Sequence, residues 1–150
     1  MNDEEMISFP IPEVTGEDRS FWEGAQADKL MIQKCLDCDT LQYFPRPVCV
    51  RCFGMNLGWH QSEGEGTVYS FAPVHMPLHA AVRKYVEMTG ILPVFAKVDL
   101  DEGVRILTEI IGCRPEDVKI GSRVKVCFEV AHGNDFKLPK FRLKDHPDGK

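Results

Sequence analysis

The sequence predicts a mainly β protein: an N-terminal helix, then a zinc ribbon, then a five-stranded closed barrel of the OB type. Three observations predict it. Two Cys-x2-Cys pairs stand ten residues apart, at Cys35, Cys38, Cys49 and Cys52. Five short stretches after residue 66 read as strands, with a helical turn after the third. Ahead of the cysteines, residues 15–32 carry apolar residues at helical spacing. The chain has 150 residues, 43% hydrophobic and 27% charged, which suits one domain or a small domain with an accessory element. The expected division is an arm and helix over 1–32, a ribbon over 33–62, and a barrel with a basic C-terminal segment over 63–150.

Residues 1–14 contain two prolines and no period, so an extended arm following the surface is expected. They begin acidic, as Met-Asn-Asp-Glu-Glu, without the apolar run of a signal peptide. The longest apolar run, Ile91 to Ala96, is far too short to span a bilayer. A cytoplasmic protein with no membrane partner is expected. Thiols stay reduced there, so closely spaced cysteine pairs read as metal ligands before disulfides. In residues 15–32, Thr15 and Asp18 approximate a capping box, with Asp where Glu is usual. Phe21, Trp22, Ala25 and Leu30 fall near one face. That face either packs on the chain's own domain or docks on a partner, since aromatics are enriched at interfaces.

The cysteines follow. A Cys-x2-Cys pair forms a knuckle, a tight turn whose backbone amides point at the sulfurs and favour thiolate. Two knuckles bring four sulfurs to one ion at about 2.3 Å each. Residues 39–48 between them are expected to run out and back as a short hairpin stiffened by Pro45 and Pro47. Gly54, after the second knuckle, is expected to take a positive φ. Four thiolates leave no open coordination position, so the ion is structural and replaces a core too small to form alone. Zinc is the expected metal. Iron is the alternative, because a tetrahedron of sulfurs holds either. The polar SEGEG at residues 62–66 then marks a turn or linker.

The strands of the barrel are expected at 67–74, 93–100, 104–111, 122–130 and 141–144. The second and third form a hairpin around Asp101-Glu102-Gly103. In the fourth, Val124, Val126, Phe128 and Val130 alternate onto one face. Residues 114–121 suit a helical turn opening at Pro115 and stopping at Gly121. Cys113 and Cys127 read as buried small hydrophobes, not catalytic thiols.

Two clusters bear on binding. The stretch from His75 to Thr89 is long for a barrel connection, and such loops are usually functional or mobile. His75, Arg83 and Lys84 are its candidate contacts with a ligand or partner, the two cations facing phosphates. His75 and His79, four residues apart, are placed to share a helix face. Near the C-terminus, Lys137, Lys140, Arg142 and Lys144 form a basic run in a chain of net charge -5. It reads as a solvated edge that discourages strand pairing, or as a seat for an anion. The overall negative charge, and the lack of a basic, aromatic-studded stripe on the strands, speak against nucleic acid. There is no Ser/His/Asp grouping, phosphate loop, dinucleotide motif or assignable acid–base pair. No catalytic residue is named.

The order of these parts is distinctive. FWEG precedes a strand ending in KC. The ribbon carries YFPRPVCVRC, and GEGTVYSF opens the barrel. LPVFAKVDLDEGVRILTEIIGCRPEDVKIGSRVKVCFE completes it. Over residues 10–143 the chain resembles the rubredoxin-like zinc-ribbon/OB-fold family associated with acyl-CoA enzymes. The four cysteines match that family's metal ligands. The resemblance implies a thiolase-fold partner, as in the archaeal acetoacetyl-CoA thiolase and HMG-CoA synthase assembly, steroid side-chain aldolases and the two-subunit thiolase of benzylsuccinate degradation. It implies a non-catalytic subunit that stabilises the partner and shapes an acyl-CoA site, with the CoA thioester at or near the interface. One departure is the segment after His75, richer in charge than the proline-rich connection of the family. The alternatives are a free-standing acyl-CoA or nucleotide-binding OB module and, less in keeping with the charge, a nucleic-acid-binding OB protein.

Overall fold

The computed structural model describes residues 8–146. The acidic start of the arm lies outside the described residues. Its visible part is tied down: the Phe9 N–H donates to the His132 carbonyl at 2.9 Å, and Asn134 Nδ2 donates to the Phe9 carbonyl at 2.9 Å.

The helix is shorter than its spacing predicts. α1 spans Arg19–Gln26, and Ala27–Asp28 close it, with Asp28 in the left-handed region at φ 58°. The Thr15 N–H does reach Asp18, at 2.7 Å, but residues 16–18 form a turn before the helix. Phe21 and Ala25 are buried, and Trp22 packs its ring 5.4 Å from Phe136. The apolar face therefore packs on the chain itself, and Leu30 belongs to the loop leading into a strand.

That strand, β1 (Met31–Cys35), is central to a three-stranded antiparallel sheet between β2 (Leu41–Gln42) and β3 (Leu57–Gln61). Ser62 is buried and its hydroxyl accepts the Gly64 N–H, so the polar stretch is a tight turn into the barrel.

The barrel comprises β4 (Glu65–Pro73), β5 (Val94–Leu100), β6 (Arg105–Ile110), β7 (Arg123–Val130) and β8 (Lys137–Leu143). It closes in the order β4-β5-β6-β8-β7, as an OB fold does. The β5–β6 hairpin sits where its turn residues place it, with Asp99 opposite Arg105. A single 3-10 turn at Pro115–Asp117 stands where a longer helical element was expected. Inward residues alternate as in any small barrel: Val94, Ala96, Val98 and Leu100 from β5, Ile106 and Ile110 from β6, Phe141 and Leu143 from β8. β7 keeps its alternation only in its first half. Val124 is fully buried, but Val130 is 49% exposed because the strand end runs past the barrel.

Three expectations are corrected. Residues 75–89 are not one long loop, since α2 spans Ala80–Thr89. His75 and His79 share no helix face: His75 precedes the helix and His79 caps it, its Nδ1 accepting the Ala81 N–H at 3.3 Å. The basic run is not a solvated edge. β8 starts four residues earlier than predicted and pairs on both sides, antiparallel with β7 and parallel with β6 through Ile110 and Phe141. Among the described residues, no helix is long and apolar enough to cross a membrane.

Candidate metal centre

The four cysteines come together from two turns of like construction. β1 ends on Cys35, whose N–H donates to the Thr40 carbonyl at 2.9 Å across the first knuckle. In the second knuckle the Cys49 N–H donates to the Gly54 carbonyl at 2.9 Å. The residue after each second cysteine turns left-handed: Asp39 at φ 60° and Phe53 at φ 59°. Phe53, not Gly54, takes the positive φ. Gly54 is required for a different reason, since a Cβ there would stand 2.8 Å from Asp37 Oδ2 and 3.3 Å from Cys52 Sγ.

The four sulfurs all lie within 4.8 Å of one another, with Cys35–Cys52 and Cys38–Cys49 each 3.6 Å apart. Ligand bonds of about 2.3 Å in a tetrahedron set sulfur–sulfur edges at about 3.8 Å, so the cluster has the dimensions of a four-thiolate metal site. Cys35 and Cys49 are fully buried, while Cys38 and Cys52 face outward.

The protonation pattern fits a site that needs a cation. The Thr40 hydroxyl, 3.2 Å from Cys38 Sγ, and the Thr40 N–H bring the Cys38 thiol down to about 6. The N–H groups of Cys52 and Arg51 lower Cys49 as well. At Cys52 the Gly54 N–H pulls downward, but the crowded sulfurs of Cys35 and Cys38 push it up to about 12. Four sulfurs this close do not all ionise unaided, and a divalent ion removes the conflict.

Two residues that the sequence reading missed hold the second knuckle in place. Gln33 and Gln42 are buried side chains on facing positions of β1 and β2. Gln33 brackets Arg46, accepting its N–H at 2.9 Å and donating to its carbonyl at 3.0 Å. Gln42 donates to Gln33 at 2.6 Å and accepts the Val50 N–H at 2.9 Å. The expected hairpin between the knuckles is thus mostly irregular chain, pinned by two amides. Glutamine at alternate strand positions carries no sequence signal of burial.

Comparison with known proteins agrees with this geometry. Residues 22–58 match the family described as ChsH2, rubredoxin-like zinc ribbon domain, and residues 59–129 match ChsH2, C-terminal OB-fold domain. A DUF35 domain-containing scaffold protein of Methanothermobacter thermautotrophicus is 30% identical over 63% of this chain and 68% of its own length.

The chain belongs to the DUF35 family.

A solved DUF35 structure, described as an Ltp2-ChsH2(DUF35) aldolase, superimposes with a TM-score of 0.76 at 31% identity, covering 89% of this chain and 98% of that one. A probable enoyl-CoA hydratase alpha subunit of Thermomonospora curvata is 35% identical over 83% of this chain. The 3-oxo-4,17-pregnadiene-20-carboxyl-CoA hydratase alpha subunit of Mycobacterium tuberculosis is 34% identical over 72%. This DUF35 chain spans only 37% and 32% of those two relatives.

The remaining candidate residues lie away from the sulfurs in the sequence and are not brought into one site. His75 is exposed in the bend after β4. Arg83 is exposed on α2, its Nε donating to the Pro77 carbonyl at 3.4 Å, and Lys84 is half-buried beside it. Tyr85 of the same helix lines a cavity of about 400 Å³ beneath Phe9; Arg83 and Lys84 do not. Cys113 and Cys127 are half-buried, and burial pushes both thiols up, away from nucleophilic thiolate.

Proposed function

We propose that the chain is a non-catalytic, zinc-binding subunit of a two-component acyl-CoA enzyme whose chemistry resides on a thiolase-fold partner. The observation that carries this reading is the match to nearly the whole DUF35 chain of an aldolase complex at 31% identity. It is supported by the chemistry of the only dense cluster the sequence singled out. Four thiolates close the coordination sphere, so Cys35, Cys38, Cys49 and Cys52 would hold zinc as a brace, not as a Lewis acid open to substrate.

In this reading the ribbon (33–62), held between the arm and helix (1–32) and the barrel (63–150), is the docking element, and the barrel helps to shape the acyl-CoA site. Exposed apolar side chains favour such a use of the ribbon. Phe53 is 76% and Met55 77% exposed around the second knuckle, more than a monomer's surface needs. The segment carrying His75, Arg83 and Lys84 is assigned to the thioester or the partner. Its neighbours Met76 and Leu78 are exposed apolar residues of the same kind. Hydratase subunits are the second partner class, because two relatives bear that name.

Co-expression with a thiolase-fold protein encoded beside it tests the proposal. The two should co-purify, with one zinc per copy of this chain by elemental analysis. Separate elution, together with full activity of the thiolase-fold protein alone, would sink the reading. Co-purification with a hydratase subunit instead would move the assignment to the second class.

A further inference from the structure

The basic run at the C-terminus divides sharply once its partners are known. Lys137 pairs with Asp28 at 2.8 Å, Lys140 with Glu109 at 3.0 Å and Glu129 at 3.2 Å, and Lys144 with Glu65 at 2.8 Å. Arg142 has no carboxylate partner among the described residues; its charge pulls the Cys127 thiol down against the burial that raises it. The half-buried guanidinium lies over Gly112, which has φ +72° and no Cβ. Any side chain there would collide with Arg142 Nη1, so the seat of the guanidinium depends on glycine.

Arg142 borders a cavity of about 550 Å³ together with Arg114, Ile91, Cys113 and His146. Asp117 is the single carboxylate in that lining, and it is engaged: it accepts the Arg114 N–H at 2.9 Å and lies 3.1 Å from His146 Nε2. A second cavity of about 540 Å³ shares Ile91, Cys113, Arg114 and Asp117, and adds Leu92 and Pro115, with Glu116 in its lining. Arg142 and Arg114 therefore line adjoining spaces in which apolar Ile91, Leu92 and Pro115 alternate with charged side chains, and Ile91 is 52% exposed.

We propose that Arg142 and Arg114 form a binding site for an organic phosphate, its phosphoryl group on the guanidiniums and its organic body against Ile91, Leu92 and Pro115. A phosphate monoester approaches a charge of -2 at neutral pH and presents several acceptor oxygens, which matches two planar forks. A carboxylate matches only one. Each space by itself lies in the range of small-molecule sites. The site is wholly on this chain and can be examined without any partner subunit.

Calorimetry on the metal-loaded full chain at low ionic strength tests it, with phenyl phosphate, inorganic phosphate and benzoate as probes. Phenyl phosphate should bind most tightly, about tenfold or more above benzoate. Arg142→Gln should weaken it about tenfold or more, and Arg142→Lys by less, since the charge remains but the fork is lost. Gly112→Ala should weaken it by unseating Nη1. Ile91→Ser should remove the advantage of phenyl phosphate over inorganic phosphate, and Arg19→Gln, at a residue that lines neither space, should change nothing. If Arg142→Gln fails to fold by circular dichroism, Arg142→Lys and Gly112→Ala decide. The proposal is overturned if the wild-type chain binds no phenyl phosphate, if benzoate or inorganic phosphate binds equally well, or if the folded Arg142 and Gly112 variants keep wild-type affinity.

Discussion

Cys35 and Cys52 are both ligand candidates, but they sit differently, one sealed in the ribbon and one at its surface. Replacing either by Ser removes a thiolate and leaves three sulfurs with an oxygen that binds zinc poorly. If the chain is the proposed metal-braced subunit, Cys35→Ser and Cys52→Ser should each lose most of the bound metal by elemental analysis, and the ribbon should lose its fold because metal binding would supply its folding energy. Assembly with the proposed partner should then fail before any chemistry changes. A variant that assembles normally but turns over slowly would contradict a structural role. Gln42 makes a second prediction at this scale. Gln42→Leu orphans the Val50 N–H and one lone pair of Gln33, each unsatisfied group costing about 1–3 kcal/mol. Its melting temperature should fall, and chelator should strip its metal faster than from the parent. Asp18 shows how a residue is read correctly in kind and wrongly in context. Its pairing with Thr15 is the one that the sequence suggests, but its other oxygen accepts the Trp22 Nε1–H at 3.0 Å, a contact no linear pattern announces.

Among the elements, β8 is the decisive one. Its parallel contact with β6 rests on Ile110 and Phe141, a short seam for closing a barrel. Lys140 reinforces it. The side chain lies on the outer face of β8, only 10% exposed, between Glu109 of β6 and Glu129 of β7. Lys140→Met would leave two carboxylates facing each other without a cation. Because Glu109 is 24% and Glu129 45% exposed, water takes up part of the loss and the cost falls below that of a fully buried pair, but chemical denaturation should still show a lower midpoint. Burial pulls the Lys140 pKa down, but Glu109 and Glu129 outweigh it and hold it above the ordinary lysine value. A raised folded-state pKa contributes stability that is fully present below the unfolded value of about 10.4 and is lost as pH rises through the folded value. The parent should therefore weaken in strong alkali by more than Lys140→Met does. α2 teaches the opposite lesson about elements. Its ten residues mix charge and apolar character, and only Ala81 is buried, so no strong periodicity separates it from a loop.

At the scale of the whole molecule, helix, ribbon and barrel share one core. Phe21, Leu30 and Ile32 belong to the same buried cluster as Val68, Val98, Val124 and Phe141, and Leu41, Tyr43 and Trp59 of the ribbon pack against it. Removing the metal should therefore lower the melting temperature of the barrel as well as unfold the ribbon. A chelator titration followed by near-ultraviolet circular dichroism, which sees the Trp22 and Trp59 environments, checks it. Acid should also loosen the closure of the barrel. Arg123 on β7 holds Asp101 at 2.6 Å and Glu65 at 3.4 Å. The Arg123 hydrogen bond keeps Asp101 below the usual carboxylate range, and Lys144 does the same for Glu65. Lowered carboxyl pKa values contribute stability above the unfolded values of about 3.9 and 4.3, and lose it as pH falls through the folded ones. Arg123→Gln should flatten that acid loss, measured as the urea midpoint between pH 6 and pH 2.

Much of this architecture is written in local signals. Cysteine spacing names four ligands because a knuckle is a short-range turn, and alternation marks β5 and β6 because each strand buries one face. Ribbon, barrel and their order are therefore readable from the linear chain. Which charges are available is readable only from the folded one. Lys137, Lys140, Arg142 and Lys144 are alike in the linear chain, yet three meet carboxylates contributed from as far away as Asp28 and Glu65, and one meets none among the described residues. The position of Gln33 and Gln42 beneath the second knuckle, and of Arg142 over Gly112, was settled in the same way. Ion pairing and burial depend on residues distant in sequence, and no local pattern carries that information.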